Sequence, residues 1–317
     1  MNQGLKRAGQ RPRDVVFVVC DNRRGIGSTE KRSVQMARIL AQSFGERYRC
    51  RQTALPHGRL GKALWARRVP RGAVVFFTKW AALRAGQGLL DALRARGALT
   101  CLDYVDADHR RCLDIRPDVH VAMSFAGADT IRGLLATASR PDHVALIHPA
   151  IDDRLLDVRP APDRPFSAAY FGLLDNMFRT EEIGRHVAAF GIANVAEMGA
   201  HLPEFARHSF HYCVRNRDMA TDAVIAKPFT KGFVAAYCGC PVLFDAGETD
   251  ALKILGADYP FIVRERSEAA VLQTLGAARA AYAGPVWTDA LERMKGITAL
   301  CAHEAIAHQF HAMVSDG

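Results

Sequence analysis

Lys227, Lys231 and Arg215 are the residues of this chain whose types and placement best suit a chemical task. The stretch KPFTKGFVAAYCGCPVLFDAGETDALKILGADYPF, Lys227 to Phe261, reads as two helix and strand units in succession. Thr230 is placed to cap a helix whose body is Lys231 to Tyr237, and Gly239 stops it, because glycine reaches the left-handed conformation without a steric penalty. Pro241 to Phe244 follows as a buried strand whose proline takes the first position, where a missing N–H is tolerated. Gly247, Glu248, Thr249 and Asp250 form a polar loop that opens a second helix ending at Gly256, and the next strand starts at Tyr259. Loops from strand carboxyl ends to helix amino ends are where open parallel sheets hold phosphorylated ligands. Arg215 ends a further strand, Ser209 to Arg215, a little before Lys227. Arginine chelates phosphate oxygens in pairs while lysine acts as a point charge. The three cations suit a phosphate clamp, or, on the plainer reading, surface pairs with Asp or Glu. Lys227 takes the greater weight because it stands beside Pro228 just before the helix, whereas Lys231 points either into a cleft or along the helix.

Other chemistry-bearing groups are weaker. Asp103, Asp106, Asp108 and His109 cluster after a strand and could hold a metal or act as a base; capping the following turn is the preferred reading. Cys238 and Cys240 flank Gly239 without further spaced partners, which suits core thiols better than a metal site. Glu304, His308 and His311 share a helix face, but His303 and His308 are five apart, so no H-E-x-x-H motif is present and a solvated face is expected. No metal site is expected, and no resident cofactor.

The elements that must position these groups alternate. A chain of 317 residues, 49% hydrophobic and 24% charged, suggests two globular domains. Asp14 to Cys20 reads as a central strand, followed by DNRRGIGSTEKRS, in which Gly25 and Gly27 permit a tight turn and Val34, Ala37, Ala41 and Phe44 face the next helix inward until Gly45. The loop lacks the third glycine of a dinucleotide fingerprint and the Gly-Lys-Ser/Thr of a P-loop. Further strands are expected at Tyr48 to Thr53, Ala73 to Thr78, Ala98 to Tyr104, Val119 to Phe125 and His143 to His148, with one helix at Trp80 to Arg96. Asp152 to Pro165, with three prolines, reads as the interdomain linker. The second lobe opens with a strand at Ala168 to Phe171, Gly172, then a loop and helix over LLDNMFRTEEIGRHVAAF, and it closes with helices at Glu268 to Tyr282 and Trp287 to Met313. This predicts an α/β chain of two doubly wound, Rossmann-like domains, residues 1–155 and 156–317.

Charge is divided unevenly. Residues 1–150 hold 26 Lys or Arg against 12 Asp or Glu, and the remainder 16 against 21. A basic first lobe attracts polyanions, or simply carries solvated helix faces. The cations are spread without interleaved aromatics or zinc-finger spacing, which argues against nucleic acid. An anionic membrane surface or a lipid-linked acceptor fits better. No apolar run is long enough to span a bilayer, and the opening MNQGLKRAGQRPRD lacks the apolar core of a signal peptide. Eight cysteines without a C-x-x-C pair suit reduced thiols. The expected location is cytoplasmic, peripheral at the inner face of the membrane.

The order lysine-proline, alanine-rich helix, glycine, one residue, proline-valine, strand, Gly/Glu loop resembles the donor-nucleotide half of the GT-B glycosyltransferases, over roughly residues 140 to 265. The resemblance implies a metal-independent transfer from a nucleotide sugar to a cell-envelope glycan or lipid-linked acceptor. It implies that His148, at the end of the last strand of the first lobe, contacts the donor sugar, that Gly172 lets backbone approach the diphosphate, and that Gly25 and Gly27 lie at the cleft. Terminal helices would cross back to the first lobe. In this reading Lys227, Lys231 and His148 are catalytic. Gly172, Arg215, Thr230, Gly247 and Glu248 hold the nucleotide sugar, with Glu248 accepting ribose or sugar hydroxyls. Many retaining members carry two glutamates eight residues apart across the donor helix, where this chain has Ala226 and Val234. That departure, with the absence of an unmistakable general base, supports a rival, a catalytically inactive binding or assembly scaffold; a sugar-nucleotide epimerase shares the fold but would be expected to show more acidic and histidine residues converging on the cleft.

Overall fold

The structure, a computed structural model, describes residues 11–20, 27–105, 107–161, 163–216 and 224–316; Gly25 and Asp106 lie outside the described residues. Val15 to Val19 are fully buried, as a strand covered on both faces must be, and they belong to β1 (Arg13–Val19). β2 (Tyr48–Ala54), with only Tyr48 buried, forms the edge beside it. β3 (Val74–Phe77), β4 (Leu99–Asp103), β5 (Val119–Ala122) and β6 (His143–Leu146) complete a parallel sheet of order β2-β1-β3-β4-β5-β6. A second parallel sheet has the order β11-β10-β9-β7-β8, from β7 (Ala168–Gly172), β8 (Val187–Gly191), β9 (Phe210–Tyr212), β10 (Val242–Asp245) and β11 (Ile262–Val263). Both orders reverse direction once, between β1 and β3 and between β7 and β9. In doubly wound sheets that reversal opens a crevice at the strand carboxyl ends.

The final helices join the two halves. Pro285–Cys301 buries Trp287, Met294 and Ile297 in the core of the second sheet. His303–Asp316 instead covers the first sheet, where Phe310 meets Phe17 and Phe76 at ring-centroid distances of 6.1 and 6.0 Å. On that helix His311 Nδ1 lies 2.6 Å from the Tyr48 hydroxyl.

Four local expectations are corrected. The Trp80 to Arg96 helix is two, Lys79–Arg84 and Gln87–Arg94, because Ala85 and Gly86 are extended and restart the second helix. Residues 187–191, read as the tail of a helix, are strand β8; only Glu181–His186 is helical. Val-Ala-Ala-Phe fits either period, and pairing with all five residues of β7 decides it. After β1 the chain makes a π-helical stretch, Glu30–Gln35, before Met36–Phe44. The wider turn rotates the helix face, so Met36, Ile39 and Leu40 are buried while Ala41 is exposed. It also turns Arg32 inward, where its Nε donates to Asp103 at 2.8 Å. Asp103 therefore holds a buried ion pair rather than capping a turn, whereas Asp108 accepts from the backbone N–H of Arg110 at 3.0 Å.

Candidate functional site

A cavity of about 270 Å³ opens where the carboxyl ends of β1, β7 and β8 converge. Gly27 and Lys31 reach it from the first sheet, Asp152 and Arg154 from the crossover between the sheets, and Gly172, Asn194, Thr230 and Lys231 from the second.

The wall from the second sheet is built around Gly172. Its φ of 147° is one that side-chain-bearing residues rarely adopt, and a Cβ there would sit 3.2 Å from Lys231 Nζ. The missing side chain is the space the amine uses. Lys231 lies in the first turn of the Thr230–Tyr237 helix, its Nζ 4.9 Å from the Tyr170 ring centroid. Burial, with Arg215 close by, pushes its pKa down to about 8, since neither a low dielectric nor a like charge favours the ammonium. Deeper in, His211 packs against Phe171 at 5.1 Å. Its Nε2 has no hydrogen-bond partner among the described residues, and burial holds the ring neutral, its pKa pushed down to about 3.

The opposite wall is a charge cluster. Arg154 Nε donates to Asp152 Oδ1 at 2.7 Å and Nη2 to Oδ2 at 2.5 Å, while Lys31 Nζ lies 3.9 Å from the same carboxylate. Asp152 is 2% exposed. Burial raises its pKa, but the Arg154 hydrogen bonds and Lys31 outweigh that and hold it below the ordinary carboxylate range. Burial lowers the pKa of Lys31, against the pull of Asp152. Asp152 and Arg154, assigned to a linker by sequence, are thus cavity residues.

The other expected site residues fall elsewhere. Arg215 Nε lies 3.0 Å from Glu248 Oε1, with both side chains largely covered, and Arg215 Nη2 donates to the Pro228 carbonyl at 3.2 Å. The expected phosphate chelator and the expected hydroxyl acceptor are partners of each other. Neither lines the cavity, and neither do Gly247, Lys227 or His148. Lys227 is exposed on a segment that crosses to the first lobe, where His109 N donates to Val224 O at 2.8 Å and Ala226 N to His109 Nε2 at 3.3 Å. Thr230 begins its helix rather than capping it: Phe229 is the cap position, without a side-chain cap bond. Asp250 takes over the task of tying helix starts. Its Oδ2 accepts from Phe229 N and its Oδ1 from Ala126 N, each at 3.3 Å, which joins the amino ends of helices from both lobes.

His148 is 2% exposed, held edge-on between Phe125 at 4.8 Å and Phe233 at 5.7 Å. Burial and the nearby Arg32 charge push its pKa down to about 4, so it is a neutral ring at the seam of the lobes. Of the expected residues the cavity brings together Gly27, Gly172, Thr230 and Lys231. Among the described residues no cluster of His, Cys, Asp and Glu could hold a metal. Cys238 and Cys240 are buried free thiols, and Cys240 lies 3.2 Å from an Arg164 nitrogen.

No protein-family model matches the sequence, and no curated protein matches it. Solved structures do. A glycosyltransferase from Rickettsia africae superposes with a TM-score of 0.64 at 10% identity, over 97% of this chain and 99% of that one. Sucrose-phosphate synthase from Thermosynechococcus elongatus gives 0.62 at 12% identity, over 96% and 98%. HepE of Anabaena, solved with UDP-glucose, gives 0.60 at 10% identity, over 96% and 100%. With two doubly wound sheets, terminal helices that span them and a cleft at their carboxyl ends, this chain has the GT-B fold of the glycosyltransferases.

Proposed function

We propose that the protein transfers a sugar from a nucleotide-sugar donor to a glycan or lipid-linked acceptor of the cell envelope, working beside the inner face of the membrane without a metal ion or resident cofactor. The observation that carries this reading is the Lys231 ammonium beside Gly172: a cation without a carboxylate partner among the described residues, placed where backbone bears no side chain. The departing nucleoside diphosphate needs fixed positive charge where its own negative charge develops. Lys231 supplies it from one wall and Lys31 and Arg154 from the other, so three cations of the chain do what a divalent ion does elsewhere. The apolar inner end, with Phe171, Phe205 and His211, suits a flat nucleobase. Structures of HepE hold UDP and glucose, or UDP-glucose, which supports this class of donor. Arg215 and Glu248 act as a positioning pair under the start of the Lys231 helix. His148, neutral and buried, serves the seam between lobes and reaches a sugar only if the lobes move apart.

The test is release of nucleoside diphosphate from a panel of nucleotide sugars in the presence of a chelator, with envelope glycans and lipid-linked glycans as acceptors. Acceptor-dependent release is the expected result. Tight donor binding with no release under any condition would instead favour the non-catalytic scaffold.

A further inference from the structure

Between Glu46 and Asp91 the chain carries ten Lys or Arg and no Asp or Glu. In the middle of that run stands the Arg59–Arg68 helix. Its inner side is fixed to the first lobe. Ala66 is buried, the Trp65 ring meets Phe77 edge-on at 6.3 Å, the Trp65 indole N–H donates to Thr53 Oγ1 at 3.3 Å, and Lys62 Nζ donates to the Arg84 carbonyl.

Its outer side has no such explanation. Leu60 is 74% exposed and Leu64 47%. They stand one turn apart with exposed Ala63 between them, framed by exposed Arg59, Arg67 and Arg68. A single water-facing leucine is ordinary. Two on one helical stripe, inside a frame of cations and far in sequence from any acid, match a helix that lies flat on an anionic bilayer. Leucines then enter the acyl boundary while guanidinium groups stay at the lipid phosphates. The charge also selects the occupant. Exposed Arg49 is already neutralised by a bidentate contact to Asp14, whereas Arg59, Arg67 and Arg68 have no ion-pair partner among the described residues. On a nucleic acid the two leucines would meet only phosphate and sugar, and the helix offers no exposed aromatic for stacking.

We propose that the Arg59–Arg68 helix docks the protein on an anionic lipid surface, Leu60 and Leu64 entering the bilayer and Arg59, Arg67 and Arg68 pairing with headgroup phosphates. This deepens the reading of a membrane-borne acceptor and rests on it for its purpose alone, because the contact needs neither nucleotide nor acceptor.

The experiment is flotation of the full chain with vesicles of phosphatidylcholine alone and of phosphatidylcholine mixed with phosphatidylglycerol, at low and high salt. Binding is expected only to the mixed vesicles and should weaken as salt screens the headgroups. Leu60→Ser with Leu64→Ser leaves the charge intact and should reduce partition about tenfold or more; Arg67→Glu with Arg68→Glu should abolish it. All four positions are exposed, and unchanged melting temperatures verify folding. Wild-type partition by the leucine pair variant would overturn the proposal. So would retention of double-stranded DNA without vesicle binding, which would make the basic run a general polyanion site. Titration of the same variants with uridine diphosphate reports on the transferase reading separately, so one can fail while the other stands.

Discussion

The two walls of the cavity hold cations in opposite ways. On the crossover wall Arg154 and Lys31 share one carboxylate, Asp152, so each cation has a counter-charge within the protein. On the second-sheet wall Lys231 stands over a tyrosine ring and beside a glycine, with no carboxylate partner among the described residues. The first arrangement is stable without ligand and contributes orientation. The second is costly without ligand, because an ammonium is held in a partly dry site, and an arriving anion relieves that cost. On the proposed reading the unpaired cation marks the nucleotide site, and the paired cluster marks what holds it in shape.

The largest expected effect is on the paired wall. Asp152→Asn leaves two cations facing each other across a buried amide and should cost about 3 kcal/mol of stability, the usual penalty for breaking a buried ion pair from one side. The same change removes negative charge from the cavity, so nucleoside diphosphate should bind the folded variant more tightly. Chemical denaturation and calorimetry on one preparation measure both. Lost stability with weakened binding would mean that Asp152 faces the ligand's hydroxyls instead of restraining the cations.

On the unpaired wall Gly172→Ala should destabilise by about 1–3 kcal/mol through its backbone conformation, and displace the Lys231 amine. Nucleotide affinity is expected to fall even at temperatures where the variant stays folded. Equal affinity would place the phosphates away from this glycine.

A pH series gives the smallest effect and the sharpest contrast. The folded pKa of Lys231 lies near 8, below the unfolded value, so the folded chain holds fewer protons than the unfolded one above about pH 8. The Lys231 share of the stability of the free protein thus rises with pH from there towards the ordinary lysine range, and is least below it. Diphosphate affinity runs the other way, falling a few-fold between about pH 7 and 9 as the amine loses its proton. Lys231→Arg should flatten that fall, because a guanidinium does not titrate there.

Much of this arrangement could be read from the sequence, and the parts that could not share a cause. The helix and strand units after Lys227 are punctuated by Gly239 and Gly256, both at positive φ, and local punctuation survives folding. Gly172 and Lys231 were legible for the same reason, as a strand end and a helix start. Lys31, Asp152 and Arg154 were not. Lys31 lies inside a charged run whose orientation depends on a π turn, and Asp152 and Arg154 carry the composition of a solvated linker. Their place at the cavity comes from contacts made across long stretches of chain, Lys31 to Asp152 and Arg154 to the Val195 carbonyl. Lys227 shows the converse: its place beside Pro228 suggests a phosphate contact, whereas the segment before it is held to the first lobe by His109. Arg215 and Glu248 were both singled out by sequence, yet no local pattern shows that two such residues will pair.

The central claim, that the unpaired amine marks the diphosphate site, is tested most directly by calorimetric titration of wild type, Lys231→Ala and Lys227→Ala with a panel of nucleoside diphosphates at neutral pH. One charge-assisted phosphate contact contributes on the order of 1.5–3 kcal/mol, so the account predicts binding by wild type, affinity about tenfold or more weaker in Lys231→Ala, and a change of less than about twofold in Lys227→Ala. Full affinity in a folded Lys231→Ala variant, or loss in Lys227→Ala alone, would contradict it.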